Sequence, residues 1–240
     1  MSAPYAIRPA SLDDVPSMAQ IAADAFLTDR NTMIKAAGPE GYSRRQTMLD
    51  MLPGWIKMRD DGRGWSYIAV TSEGEIAGCV CWGRAGYKPP AKPDAPVEEP
   101  KSDAYWDAKE EEARNGEDRL GRLGAITSTN LARWIDQRLI PKPGSGKRCI
   151  FVTSIVVAPA HEGRGVGYML VKTGMEHADE DGVNIWVQAS EKAFHLFKKQ
   201  GFEVLGELDV DLDEYAITPP PNGEEKWGHY VFRYMNRQSP

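Results

Sequence analysis

Residues 155–168 read I-V-V-A-P-A-H-E-G-R-G-V-G-Y, so a strand, a glycine-rich loop and the start of a helix follow one another directly. The run 149–157 is apolar and β-branched, as a buried strand requires, and Pro159 ends it near Ala158 by removing a backbone donor. Gly163, Gly165 and Gly167 allow the backbone to approach a ligand closely. Residues 168–179 then continue as a helix whose free N–H groups face back into the loop. Three glycines before a helix also make a tight connection, but here strand, proline, spacing and helix agree on an anion cradle.

These residues resemble the GNAT family of acetyl-CoA-dependent N-acetyltransferases, whose pyrophosphate loop reads Gln/Arg-x-x-Gly-x-Gly/Ala after a strand ending Val-x-Pro. Here Val157-Ala158-Pro159 precedes Glu162-Gly163-Arg164-Gly165-Val166-Gly167. Glu162 departs from the pattern and brings a carboxylate towards a diphosphate, a repulsion that Arg164 is placed to offset. A dinucleotide or kinase loop fits less well, because Gly-x-Gly-x-x-Gly counted from Gly163 puts Tyr168 at the third glycine. A second family stretch, Asn-x-x-Ala-x-x-Leu-Tyr-x-x-x-Gly-Phe, is matched from Ser190 through Ala193, Leu196 and Phe197 to Gly201-Phe202. Ser190 replaces the Asn that usually contacts pantetheine, and Phe197 replaces the Tyr that often protonates the leaving thiolate; packing of Phe197 in the core with Phe194 and Leu196 is the alternative. The resemblance covers residues 148–203 strongly and 5–84 weakly. It implies an α/β fold with a mixed, mostly antiparallel, splayed sheet flanked by helices.

The chain has 240 residues, enough to bury a core, and its composition, 41% hydrophobic and 27% charged, is that of a globular protein. A net charge of −6 disfavours general attraction to nucleic acid and favours cationic amines. Three cysteines cannot all pair, and Cys79 and Cys81 alternate onto one face of a strand, which reads as reduced and buried. Neither a metal site nor a membrane span or secretory segment is expected, and the expected location is the cytoplasm, with the nucleus left open. A homodimer is also left open.

Residues 6–8 read as a first strand. Asp13 is expected to cap the following helix with Pro16 in its first turn, Ser11 being the alternative, and Val15, Met18, Ala22 and Ala25 or Phe26 form its buried stripe. A second helix over 42–59 is expected to be interrupted at Pro53-Gly54, with Trp55 either in the core or lining an acceptor pocket. Residues 65–71 and 75–82 form a hairpin across Ser72-Glu73-Gly74. The proline-rich stretch 87–101 reads as a linker, followed by helices over 104–114, with Glu110 to Glu112 solvated, and 128–139. The expected organisation is one domain over 1–240, with an insertion at about 86–147 that carries specificity. Strands over 184–188, 202–210 and 227–235 and a helix opened by Ser190 complete the chain.

The implied reaction moves an acetyl group from acetyl-CoA to a primary amine, with a small molecule expected as acceptor. An acyl-CoA-binding module without turnover and an acetyltransferase acting on protein lysines are the alternatives. The family's fourth strand binds the cosubstrate through its main chain, which assigns Ile155, Val156 and Val157 to cofactor binding with Glu162, Gly163, Arg164, Gly165, Val166, Gly167, Tyr168, Ser190 and Phe197. No catalytic base is identified. Thr153, Ser154, Gln188 and Ser190 are weak bases at the splay, and Tyr168 and Ser190 are the weak catalytic candidates. His161 is available to a pyrophosphate, His177 and His195 read as exposed, and His229 has no identifiable partner. Asp209, Asp211 and Asp213 mimic a calcium loop but lack its glycine and twelfth ligand. A Gly-x-Ser-x-Gly elbow is absent.

Overall fold

The computed structural model describes residues 5–38, 42–87, 99–116, 118–142, 145–221 and 223–239. Seven strands form one sheet in the order β1-β2-β3-β4-β5-β7-β6. They are β1 (Tyr5–Pro9), β2 (Gly64–Thr71), β3 (Ile76–Ala85), β4 (Cys149–Val157), β5 (Asn184–Ala189), β6 (Glu203–Asp211) and β7 (His229–Arg237). Every neighbouring pair is antiparallel except β4 with β5. Helices α1 (Val15–Ala25), α2 (Arg30–Ala36), α3 (Arg44–Lys57), α4 (Asp103–Arg114), α5 (Arg119–Trp134), α6 (Val166–Asp181) and α7 (Glu191–Lys199) flank it.

Alternation along β3 divides the core. Val80 and Trp82 point to one face with Leu170 and Val171 of α6, whereas Cys79 and Cys81 point to the other with Met18 of α1 and Met48 and Leu52 of α3. Gly174 lets α6 lie directly on this sheet, since a Cβ there would stand 2.3 Å from the Trp82 ring. On the other half of the sheet, Ile34, Leu123, Ile126, Val210 and Tyr230 share a third cluster. Trp134 stacks on Tyr234 at 4.7 Å and occupies the space that Gly206 leaves open.

Several expectations change. Ser11, not Asp13, opens the first turn, in a capping box with Asp14, and α1 follows with Pro16 in its first turn. Pro53 does not interrupt α3: burial of Met48, Leu52 and Ile56 along one side outweighs the roughly 3 kcal/mol that a helical proline costs. Trp55 packs against the α1–α3 core. The helix expected over 128–139 begins earlier, at Arg119, because the Asp118 side chain accepts the N–H groups of Leu120 and Gly121, and its last turn, Ile135–Leu139, is π-helical. Glu110 is not solvated. It joins Asp103 and Asp107 around Arg133, which ties α4 to α5. Most of the expected linker, residues 88–98, lies outside the described residues.

Asp14 fastens β1 to the start of α1. Its buried carboxylate accepts from both terminal nitrogens of Arg8, at 2.7 and 2.8 Å, and from the N–H and O–H of Ser11. The Arg8 bonds hold its pKa down at about 2, with Ser11 adding to the effect. A depressed folded pKa stabilises above the unfolded value, so this contribution is full above about pH 4 and is lost as pH falls through about 2. Because Arg8 is half exposed, the expected loss in Asp14→Asn is about 1–2 kcal/mol at pH 7. Urea unfolding of both proteins at pH 7 and below pH 3 is expected to show the gap narrowing; a constant gap would place the effect in packing instead.

Candidate active site

The sheet parts between β4 and β5. Their parallel pairing is confined to Cys149, Ile150 and Phe151 against Asn184, Ile185 and Trp186. Beyond Phe151, β4 keeps β3 on one side, with a bulge that leaves Thr153 outside the register, while its other edge opens into a cleft. Thr153 closes the bulge by donating its hydroxyl to the Cys81 carbonyl at 2.9 Å.

At the end of β4 the chain makes a 3-10 turn, Pro159–His161, and enters the glycine loop. Gly163 and Gly165 have φ of +71° and +85°, and no atom lies within 4 Å of where a Cβ would stand on either. Both are therefore required for conformation, and both leave the loop surface bare. Gly167 serves packing, because its Cβ would meet Leu196 of α7 at 3.1 Å. Helix α6 starts at Val166, two residues before the expected start, and its first intrahelical bond runs from Met169 N–H to the Gly165 carbonyl. The N–H groups of Val166, Gly167 and Tyr168 thus remain for an anion, reinforced by the dipole of the helix.

A cleft of about 440 Å³ runs along this loop and the open edge of β4. Ile155, Val156, Val157, Glu162, Gly163, Gly165, Val166, Gly167, Tyr168 and Ser190 all line it. Arg164 and Phe197 do not: Arg164 is exposed, and Phe197 is fully buried, its ring packed on Phe202 at 5.1 Å. The alternative reading of Phe197 as core is the one its burial supports, since position 197 lies on the inward stripe of α7. Glu162 is neutralised by Lys192, at 2.7 Å, rather than by Arg164. His161 lines the cleft, but its nitrogens face Tyr5 Oη at 3.0 Å and Glu75 at 3.4 Å.

The far wall comes from the connection between α1 and α2, through Ala25, Phe26 and Asp29. Asp29 is the residue that sequence reasoning missed. One carboxylate oxygen caps α2 by accepting from Thr32 N–H at 2.8 Å, and the other accepts from the buried Tyr230 hydroxyl at 2.6 Å. Burial, then the Asp29 charge, pushes the Tyr230 phenol well above its ordinary pKa, so it remains a donor. Arg30 pins the connection by reaching Glu191 at 2.7 Å and the carbonyls of Trp227 and His229. A local signal existed in an Asp positioned to cap a helix, but its second partner lies on β7, some two hundred residues away.

Among the other candidates, Thr153 and Gln188 are committed to Cys81 and Tyr234, and Ser190 caps α7 by accepting from Ala193 N–H. His177 is not simply exposed, since its ring lies 4.2 Å from that of Trp65. His229 does have a partner, Asp209 at 2.9 Å, and Asp213 accepts from the N–H groups of Trp227 and Gly228. All three cysteines are free and buried. Burial pushes the thiols of Cys81 and Cys149 up to about 12 and that of Cys79 well above its ordinary value, so none is poised as a nucleophile at neutral pH. Among the described residues no group of His, Cys, Asp and Glu is placed to hold a metal, and no helix is long and apolar enough to cross a membrane.

Comparison with solved structures places the fold. Arylalkylamine N-acetyltransferase 2 from Aedes aegypti superposes with a TM-score of 0.59 at 14% identity, covering 99% of this chain and 100% of that one. A polyamine N-acetyltransferase from Drosophila melanogaster gives 0.56 at 16%, covering 98% and 99%. The yncA acetyltransferase from Salmonella typhimurium, solved with acetyl-CoA, gives 0.51 at 13%, covering 99% and 95%. No curated protein sequence matches the chain significantly. The profile of the acetyltransferase (GNAT) family, however, matches residues 30–202, and with the parted strands and the glycine loop in place the chain belongs to that family.

Proposed function

We propose that the protein transfers the acetyl group of acetyl-CoA to the primary amine of a small molecule. The observation that carries this reading is one continuous cleft whose wall brings together free helix N–H groups, the Asp29 carboxylate and the open edge of β4. A diphosphate suits the N–H groups, an extended amide-bearing arm suits an unpaired strand edge, and a cationic amine suits the carboxylate. The arylalkylamine and polyamine named for two of the structural neighbours are amines of this kind.

In this reading the neutral amine attacks the thioester carbonyl. The tetrahedral oxyanion is stabilised by backbone N–H groups at the β4 edge, and its collapse breaks the carbon–sulfur bond. The amine gives up its protons to water at the cleft mouth, while Asp29 steers and orients the ammonium form. A thiol pKa of about 8.5 means that the thiolate leaves with little acid assistance. Ser190 and Tyr168 are the hydroxyls that line the cleft. The single domain over 1–240, with its insertion at 86–147, is part of the same proposal. No described residue of that insertion lines the cleft, but Leu123 and Ile126 pack in the cluster that holds Tyr230, the partner of Asp29.

Thiol release from acetyl-CoA across a panel of polyamines, arylalkylamines, amino acids and lysine peptides tests the reading. Turnover with a small amine is expected; cosubstrate binding without release above the buffer rate for any acceptor would favour a silent binding module. Gly165→Val, forced into a conformation with φ of +85°, is expected to lose acetyl-CoA binding by calorimetry while keeping its circular dichroism. Unchanged affinity in the folded variant would remove the glycine loop from the site.

Asp29→Asn keeps an oxygen for the helix cap and removes the charge. It is expected to raise KM for a cationic amine about tenfold, with acetyl-CoA affinity unchanged. Equal losses for a cationic and a neutral acceptor would reduce Asp29 to a structural cap.

Phe197→Tyr places a hydroxyl in the core rather than at the thiol. A fall in stability of about 1–3 kcal/mol without a gain in turnover is expected from denaturant unfolding and steady-state rates. A rise in turnover would show that position 197 reaches the leaving group.

A further inference from the structure

We infer that Gln188 binds the acceptor amine at the parting of the strands, its carboxamide oxygen taking one N–H of the nucleophile, and that Tyr234 and Asn130 are positioning residues that turn this oxygen outward. The inference rests on the acetyl-transfer reading above and deepens it by naming a residue that meets the acceptor. Gln188 stands two residues past Trp186, the last β5 residue paired with β4, and two residues before Ser190, which lines the cleft. It is therefore placed where β4 has already left the strand. Trp186, on the same face of β5 by alternation, stacks at 5.3 Å on Phe151, the last paired residue of β4. The carboxamide is thus the next side chain on that face as the strands open.

The orientation of this carboxamide is fixed from a distance. Arg133 pairs with the Glu110 carboxylate at 3.4 Å, and an ionised carboxylate only accepts, so Asn130 turns its amide nitrogen to it, at 3.3 Å. The Asn130 oxygen is left to accept from the Tyr234 hydroxyl at 2.8 Å. With its proton given to Asn130, that hydroxyl accepts from Gln188 Nε2 at 3.3 Å. The Gln188 oxygen consequently faces away from Tyr234. Among the described residues no donor reaches it, and it is not sealed from solvent as both polar atoms of Gln200 are. Tyr234 has no room to relax this order, being fully buried with its ring stacked on Trp134. Burial also pushes its phenol well above the ordinary pKa, which keeps the proton in place.

A carbonyl oxygen without a donor suits a neutral amine. A primary amine has two N–H groups, and a hydrogen bond from one of them to Gln188 leaves the nitrogen lone pair to face the thioester carbonyl. Gln188 takes no proton; the protons of the amine still pass to water. Glu110, Asn130 and Arg133 belong to the segment between β3 and β4, so that segment reaches the nucleophile through three successive hydrogen bonds.

The test compares wild type, Gln188→Leu, Tyr234→Phe and the double variant, using steady-state rates with a small primary amine at saturating acetyl-CoA, calorimetry with acetyl-CoA, and circular dichroism. Each single variant is expected to lower kcat/KM for the amine about tenfold, as loss of one hydrogen bond warrants, with acetyl-CoA affinity unchanged. The double variant is expected to be no slower than Gln188→Leu, because Tyr234 acts only through Gln188. Independent losses that multiply to about a hundredfold in the double variant would overturn the relay. Wild-type kcat/KM in folded Gln188→Leu, or weakened acetyl-CoA binding there, would remove Gln188 from the acceptor site. Should Tyr234→Phe fail to fold, Asn130→Leu takes its place in the cycle with the same expectation. A wild type that binds acetyl-CoA yet releases no thiol with any amine would instead remove the underlying reading, and this inference with it.

Discussion

The parting of β4 from β5 is the constraint on which the rest of the molecule depends. A parallel pair that stops after three residues leaves strand N–H and C=O groups unpaired in the middle of a sheet, where they would otherwise be buried at a cost of about 1–3 kcal/mol each. Such an opening persists because other elements brace it: Gly174 seats α6 on Trp82, Gly167 seats α6 against α7, and Arg30 ties the α1–α2 connection to α7 and β7. The cleft is thus framed by contacts that make no use of a ligand, which gives a polar strand edge of fixed geometry.

What the sequence made legible was local. Strand, proline, three glycines and helix fall within fourteen consecutive residues, and each acts through its own backbone, so residues 155–168 declared the cradle without knowledge of anything else. Asp29 and Lys192 were not legible in this way. Their roles depend on partners brought in by the fold, Tyr230 for the one and Glu162 for the other. Phe197 was legible both as a family position at the thiol and as part of the inward stripe of α7, and its full burial favours the second reading. The start of α5 was obscured by Gly121 and Gly124, poor helix formers whose cost is offset by the Asp118 cap and by burial of Leu123 and Ile126.

The cleft carries charges of both signs that net charge conceals. The protein as a whole is acidic, yet the α7 wall of the cleft is basic and the lone glutamate of the glycine loop is neutralised across the gap. Asp29, at the far wall, accepts from an N–H and a phenol rather than from a cation in direct contact, although the charge of Lys35 lies near enough to interact with it. The phenol that steadies Asp29 is itself embedded in packing supplied by α5. Changes in the segment between β3 and β4 can alter how the carboxylate is held without entering the cleft. Under the proposed function, acceptor preference would then diverge while the glycine loop and its backbone geometry stay fixed.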